Sequence, residues 1–134
     1  MIVVLDTSAA VEIVLQRDCA EQLGDIVRQA DWVIAPTLFI SEVTNVFWKY
    51  QNMTDYPYAS CEKSIEQAIA LPDDYLNEID LYREAFNMAC KLNHPVYDML
   101  YLILARRNSA LLLTMDKKLK GAATKSEIDI GLST

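Results

Sequence analysis

The chain reads as an α/β fold of three layers, a mostly parallel central sheet with helices on both faces. Two observations predict this. Three short runs, Ile2 to Leu5, Trp32 to Ala35 and Ala110 to Thr114, are solidly apolar rather than alternating, as expected of strands covered on both sides. Between them, apolar residues recur at three- and four-residue intervals, the mark of helices with one buried face. No internal repeat, low-complexity tract or linker divides the sequence, so residues 1–134 are read as one domain.

Ile2 to Leu5 stops at Asp6-Thr7-Ser8, residue types suited to capping a helix over Ala9 to Leu15. A polar helix over Cys19 to Gln29 follows, then the second strand, which Pro36 and Thr37 punctuate. Phe39, Val43, Val46, Phe47 and Tyr50 mark one amphipathic helix, and Tyr58, Cys61, Ile65 and Ile69 mark another. Leu71-Pro72-Asp73-Asp74 breaks the pattern, after which Ile79, Tyr82, Phe86, Ala89 and Cys90 describe a further apolar stripe that ends at His94-Pro95. Met99 to Ala105 is apolar on every side and predicts a central buried helix with Arg106 and Arg107 at its C-terminal end. Ala110 to Thr114 is the late strand, and Ile128 to Ile130 is a weak last one.

Composition narrows the function. An apolar share of 52% excludes a disordered chain, and the longest uninterrupted apolar run falls far short of a membrane span. The apolar N-terminal stretch has no basic leader and is interrupted by Asp6 and Glu12, which argues against a secretory signal and for a cytoplasmic protein. Cys19, Cys61 and Cys90 fit neither a disulfide framework nor a zinc spacing and are expected to be reduced, partly buried thiols. A net charge of −7 argues against indiscriminate nucleic-acid or membrane binding. Half of the 12 cations nevertheless fall in one late segment, Arg106, Arg107, Lys117, Lys118, Lys120 and Lys125, a candidate phosphate-contacting rim. Trp32, Trp48 and the tyrosines are assigned to the core, and His94 to a loop role.

Four acids stand out by position. In a parallel sheet, ligands bind beyond the carboxyl ends of the strands; Asp6 follows the first strand and Asp116 comes just after Thr114 closes the late one. Glu42 and Asp98 lie in or beside strongly apolar helical segments, where an acid needs a partner. Each has an ordinary reading, a cap, a turn or an ion pair. Together they have another: two ionised carboxylates ~4 Å apart repel by about 4 kcal/mol at an effective dielectric near 20. Protonation or a divalent cation relieves that repulsion, and all-oxygen ligands suit Mg²⁺ or Mn²⁺ rather than zinc. Asn45, one turn from Glu42, is expected to hydrogen-bond on that face, and Thr7 and Ser8 to be caps first and ligands second.

The segments Val3-Val4-Leu5-Asp6-Thr7-Ser8, Ser41-Glu42-Val43-Thr44-Asn45, Val96-Tyr97-Asp98-Met99-Leu100-Tyr101 and Leu113-Thr114-Met115-Asp116 together resemble the PIN-domain nucleases over almost the whole chain. More narrowly they are similar to the VapC-like ribonuclease toxins of type II toxin–antitoxin pairs. The resemblance implies a Mg²⁺- or Mn²⁺-dependent endoribonuclease in which Asp6, Glu42, Asp98 and Asp116 are the acidic, metal-holding quartet. Thr114 then matches a hydroxyl position beside the last acid, and Thr7 or Ser8 a small polar position beside the first. It also implies an RNA substrate, a cognate antitoxin and a homodimer, with Arg106, Arg107, Lys117, Lys118 and Lys120 as RNA-contact candidates. Met99 and His94-Pro95 depart from the usual residues around the third acid and bear on substrate fit rather than chemistry.

Two rival classes use the same residues differently. A magnesium-binding phosphoryl-transfer domain would be phosphorylated on Asp6, but Ser8 stands where haloacid-dehalogenase-type phosphatases need a second aspartate. A non-catalytic PIN-like module would bind RNA or protein and keep binding after its acids are neutralised.

Overall fold

Each apolar run becomes a strand because its residues fill both sides of a parallel sheet. The computed structural model describes residues 1–131. Its elements in order are β1 (Ile2–Leu5), α1 (Thr7–Val14), α2 (Ala20–Gln29), β2 (Trp32–Pro36), α3 (Leu38–Met53), α4 (Tyr58–Ile69), β3 (Asp74–Leu76), a 3-10 turn (Glu78–Asp80), α5 (Tyr82–Leu92), α6 (Val96–Asn108), β4 (Leu111–Leu113) and α7 (Lys117–Lys125). The strands pair in the order β3-β2-β1-β4, all parallel, with Val3 opposite both Val33 and Leu111. Val3, Val4 and Leu5 in the central strand are inaccessible to solvent.

Right-handed crossovers explain the layers. Moving from β1 to β2 to β3 puts α1 to α4 on one face; returning from β3 to β4 puts α5 and α6 on the other. The contacts follow that division, with α1 against α2, α3 and α4, and α6 against α5, β1, β2 and β4. The expected central helix is α6: Met99 to Ala105 are all buried, so it has no water-facing side over those turns. Among the described residues no helix is long and apolar enough to cross a membrane.

Several elements differ from the sequence reading. β3 lies in what reads as a break; its three residues gain strand geometry from pairing with β2, and Tyr75 anchors it by packing on Phe39 and donating to the Ile69 carbonyl. α7 forms over a stretch to which the sequence reading assigns no element, because Asp116 caps it and Leu119, Ala122 and Ala123 bury one side. The weak last strand is only an isolated bridge between Ile130 and Leu112. In α5 the buried side is Leu81, Ala85, Met88 and Ala89, while Ile79, Tyr82, Phe86 and Cys90 of the expected stripe face solvent. Trp48, Tyr58 and Tyr97 are likewise exposed rather than core, whereas Tyr101 is fully buried.

Because α6 is packed on all sides, its apolar residues carry stability that surface residues do not. Ile103→Ala should cost about 2–5 kcal/mol, and Met53→Ala, at an exposed position, within about 0.5 kcal/mol of nothing. Chemical denaturation of both variants checks the contrast.

Candidate active site

The carboxyl edge of the sheet brings the four acids into one electrostatic neighbourhood. β1 delivers Asp6, and β4 delivers Thr114 and, two residues on, Asp116. Glu42 comes from the second turn of α3, and Asp98 from the first turn of α6. The acids are close enough that Asp6 raises the pKa of both Glu42 and Asp98, and Asp116 raises that of both Asp6 and Asp98.

Asp6 is the most enclosed of them, only 6% exposed. It occupies the residue before α1, yet its side chain makes no capping bond there, contrary to the plainest sequence reading. Its Oδ2 instead accepts from Thr114 Oγ1 at 2.6 Å and Ser8 Oγ at 2.7 Å. These hydroxyls are themselves fixed, since the Met115 N–H donates to Ser8 Oγ and the Asp116 N–H to Thr114 Oγ1. Burial pushes the Asp6 carboxyl above its ordinary range, the two hydroxyl donors oppose that, and Asp116 adds to it.

Glu42 is half-buried, and its Oε1 accepts from the Tyr101 hydroxyl at 2.6 Å and from Thr7 Oγ1 at 3.1 Å. Burial raises its pKa, with Asp6 and Asp98 adding to the rise and the two hydroxyl donors working against it. Tyr101 was not singled out as a site residue by the sequence, because an aromatic inside an all-apolar run looks like core. It is core, buried to zero exposure, and its hydroxyl is the exception. Burial, and then Asp6 and Glu42, hold that hydroxyl in its protonated, donating form far above the ordinary tyrosine range. Asn45 is exposed and forms no side-chain bond with Glu42; Thr7 and Tyr101 fill the partner role expected of it.

Asp98 has its pKa raised by burial first, then by Asp6 and Asp116. His94, one turn earlier, brings Nε2 to 3.6 Å from Asp98 Oδ2, too far for a hydrogen bond, and that nitrogen is buried without a hydrogen-bond partner among the described residues. The loop role expected of His94 therefore includes a place against the third acid. Asp116 does what its ordinary reading says, its Oδ1 accepting from the Lys118 and Leu119 N–H groups.

The basic rim divides. Lys117 and Lys118 are exposed at the start of α7 beside Asp116, and Lys118 lowers the pKa of Asp98 slightly. Lys120 is only 8% exposed and so does not form part of the open rim. Arg106 and Arg107 sit at the other end of α6 from Asp98, about 12 Å along the helix axis. Both are engaged by Glu84 on α5, at 2.9 and 2.6 Å. Their expected place beside the acids is corrected by that geometry: α6 runs antiparallel to the strands and carries its C-terminus to the opposite sheet edge.

Among the described residues no Lys or Arg lies within 4 Å of any of the four acids. Nor are three His, Cys, Asp or Glu side chains placed tightly enough to hold a metal ion as they stand. The donor set is nonetheless all oxygen, and among the described residues no Lys or Arg pairs with its negative charge. In charge and donor chemistry the residues fit a hard divalent cation.

Comparison with known proteins follows the same residues. The family model described as PIN domain matches residues 3–125. No curated protein matches. Among solved structures the chain is similar to PAE2754 from Pyrobaculum aerophilum, with a TM-score of 0.73 and 18% identity over 90% of this chain and 78% of that one. It is also similar to VapBC2 from Rickettsia felis, solved bound to a DNA fragment from their promoter, with a TM-score of 0.64 and 15% identity over 90% of this chain and 92% of that one. At these identities the likeness is one of fold.

The raised carboxyl groups give a signed stability prediction. A group whose folded pKa lies above its unfolded value contributes stability that is fully present below the unfolded pKa and is lost as pH rises through the folded one. Asp6, Glu42 and Asp98 all belong to this class. In chelator, the melting temperature should therefore fall as pH rises from about 4 toward neutrality, over and above the behaviour of the rest of the chain. Asp6→Asn should flatten that fall and raise the neutral-pH melting temperature by several degrees, at roughly 2–8 °C per kcal/mol. Differential scanning calorimetry across pH reads both.

Proposed function

The chain belongs to the PIN-domain family, and from that premise we propose that it is a metal-dependent endoribonuclease, the toxin of a type II toxin–antitoxin pair. PIN domains are generally nucleases. The observation that carries the reading here is the group of four acids at the carboxyl edge of a parallel sheet, with the most buried, Asp6, held by two hydroxyls and paired with no cation among the described residues. A metal-dependent phosphodiester hydrolase uses such a site, because uncompensated carboxylates recruit the positive charge that stabilises an anionic substrate.

Asp6, Glu42 and Asp98 would hold Mg²⁺ or Mn²⁺, with Asp116 completing the set or orienting water. The ion, when bound, supplies Lewis acidity toward a phosphodiester oxygen and lowers the pKa of an attacking water. The chain's own groups do the positioning. Thr114 and Ser8 aim Asp6, and Tyr101 and Thr7 aim Glu42, each by donating to one carboxylate oxygen. The other oxygen of each acid receives no side-chain donor among the described residues. RNA would approach over Lys117 and Lys118; Arg106 and Arg107 are too far along α6 to share the same phosphates.

In this reading residues 1–134 act as one PIN-like unit in the cytoplasm, as a homodimer silenced by a cognate antitoxin. The fold-level likeness to VapBC2 supports the antitoxin. The Ser8 hydroxyl bonded to Asp6 Oδ2 weighs against the phosphoryl-transfer rival, since it occupies an oxygen and supplies no second carboxylate.

Purified wild type should cleave RNA in Mg²⁺ or Mn²⁺, stop on addition of chelator, and drop to background with Asp6→Asn. Gel analysis of end-labelled RNA reads this, and cleavage that survives both treatments sinks the proposal. Tyr101→Phe should leave the fold intact and weaken apparent Mg²⁺ affinity about 10–100-fold, as loss of an outer-shell donor does. A magnesium titration of activity and of melting temperature measures it.

A further inference from the structure

Two of the acids that would hold the ion have their aim fixed by hydroxyls, Asp6 by Ser8 and Thr114, and Glu42 by Tyr101 and Thr7. No hydroxyl does this for Asp98 among the described residues. What faces Asp98 instead is His94, the single histidine of the chain.

The backbone at His94 is held from both sides. Asn93 ends α5 in the left-handed conformation at φ 52°, the His94 N–H donates to the Ala89 carbonyl, and Pro95 opens α6 with its φ fixed by its own ring. Little backbone freedom is left at this residue. Its Nδ1 lies 3.3 Å from the Pro95 carbonyl oxygen. A carbonyl only accepts, so the proton of the neutral ring belongs on Nδ1 and the free lone pair falls to Nε2. Metal-binding histidines are oriented in this way, a backbone carbonyl taking one ring N–H while the other nitrogen faces the ion.

Nε2 is then an acceptor turned toward another acceptor. It is buried, it has no hydrogen-bond partner among the described residues, and Asp98 Oδ2 stands 3.6 Å away. A lone pair and a carboxylate repel unless positive charge lies between them. The separation suits an ion: two ligand atoms each ~2.0–2.2 Å from one metal stand about 2.8–3.6 Å apart over bond angles from octahedral to tetrahedral. A hydrogen bond between the same atoms would bring them within about 3.2 Å. One side of the ring lines a hollow of about 450 Å³ between the end of α5 and the start of α6, which leaves it room to close on an ion.

We propose that His94 Nε2 joins Asp98 as a ligand of the ion in the acidic site, and that this nitrogen makes the site select a first-row transition ion over Mg²⁺. The proposal rests on the metal-site reading above and deepens it by naming the class of ion. Nitrogen donors strengthen binding from Mn²⁺ to Co²⁺ to Ni²⁺, whereas Mg²⁺ keeps to oxygen ligands. One residue then sets the preference.

Thermal-shift titrations of the whole chain with Mg²⁺, Mn²⁺, Co²⁺ and Ni²⁺ test this, with wild type beside His94→Gln and His94→Phe. Removing the ring should weaken Ni²⁺ and Co²⁺ binding at least about tenfold and Mn²⁺ binding less, and leave Mg²⁺ binding within about threefold of wild type. A graded loss is the signature of a missing nitrogen donor. An equal loss for all four ions marks the ring as a structural support and overturns the proposal, as does no loss for any. Because the chain has one histidine, wild type alone gives a second reading that does not depend on how the variants fold. With isotope-labelled histidine and a spin-active Cd²⁺ isotope, the Nε2 resonance should split by coupling to the metal, and a resonance left unsplit at saturating Cd²⁺ overturns the proposal. The two readings fail separately: Mg²⁺-dependent RNA cleavage without a graded loss removes the ligand and keeps the nuclease, and a graded loss in a chain that cleaves no RNA does the reverse.

Discussion

One constraint organises the molecule: a carboxylate, Asp6, buried at the end of the central strand with no cation to pair it among the described residues. Burying such a group costs several kcal/mol unless hydrogen bonds or charge offset the loss of water. What the chain supplies is hydroxyls. Ser8 and Thr114 donate to the same Asp6 oxygen, and the backbone of Met115 and Asp116 donates to those hydroxyls in turn, so a network ties the end of β1 to the end of β4. Hydroxyl donors stabilise the anion without cancelling its charge, and the charge is left available to something that arrives from outside.

The same economy recurs at Glu42. Tyr101 projects from a helix buried on every side, so its ring is fixed by packing before its hydroxyl meets Glu42 and Thr7. A side chain held in that way loses little conformational freedom when it hydrogen-bonds, and it positions a carboxylate on α3 from the middle of α6. Core packing and site geometry are therefore one property at Tyr101. Damage to the α6 core would be felt at Glu42 even where no acid is touched.

What the sequence discloses follows from how local each signal is. β1, α3 and α6 are legible because their apolar patterns are long or solid; Glu42 and Asp98 stand out because they lie in or beside such patterns, and Asp6 and Asp116 because each follows a strand. β3 is not, since three residues, one of them Asp74, owe their conformation to β2 rather than to their own propensity. α7 is not, because its cap and two buried alanines are quiet beside its lysines. In α5 the period was right and the face wrong: Leu81, Ala85 and Met88 form a narrower but buried line, and residue size misled where packing decided. Arg106 and Arg107 were grouped with the lysines by closeness in sequence, and the length of a helix separates them.

That separation bears on how an anionic polymer reaches an acidic protein. With a net charge of −7 and four acids at the sheet edge, the metal-free site repels phosphate. Glu84 pairs with both Arg106 and Arg107 at the far edge, and the positive charge left over there lies about 12 Å along α6 from Asp98, beyond a Debye length at physiological salt, so it offers little compensating field. Among the described residues Lys117 and Lys118 stand beside Asp116, and two exposed cations confer only weak attraction at physiological salt. In the proposed reaction, RNA binding and the filling of the acidic site are then coupled electrostatically: the charge that activates the phosphodiester is the same charge that admits it. The four carboxylates would thus gate substrate entry as well as catalysis, and an unfilled site would exclude substrate by the field of its own ligands.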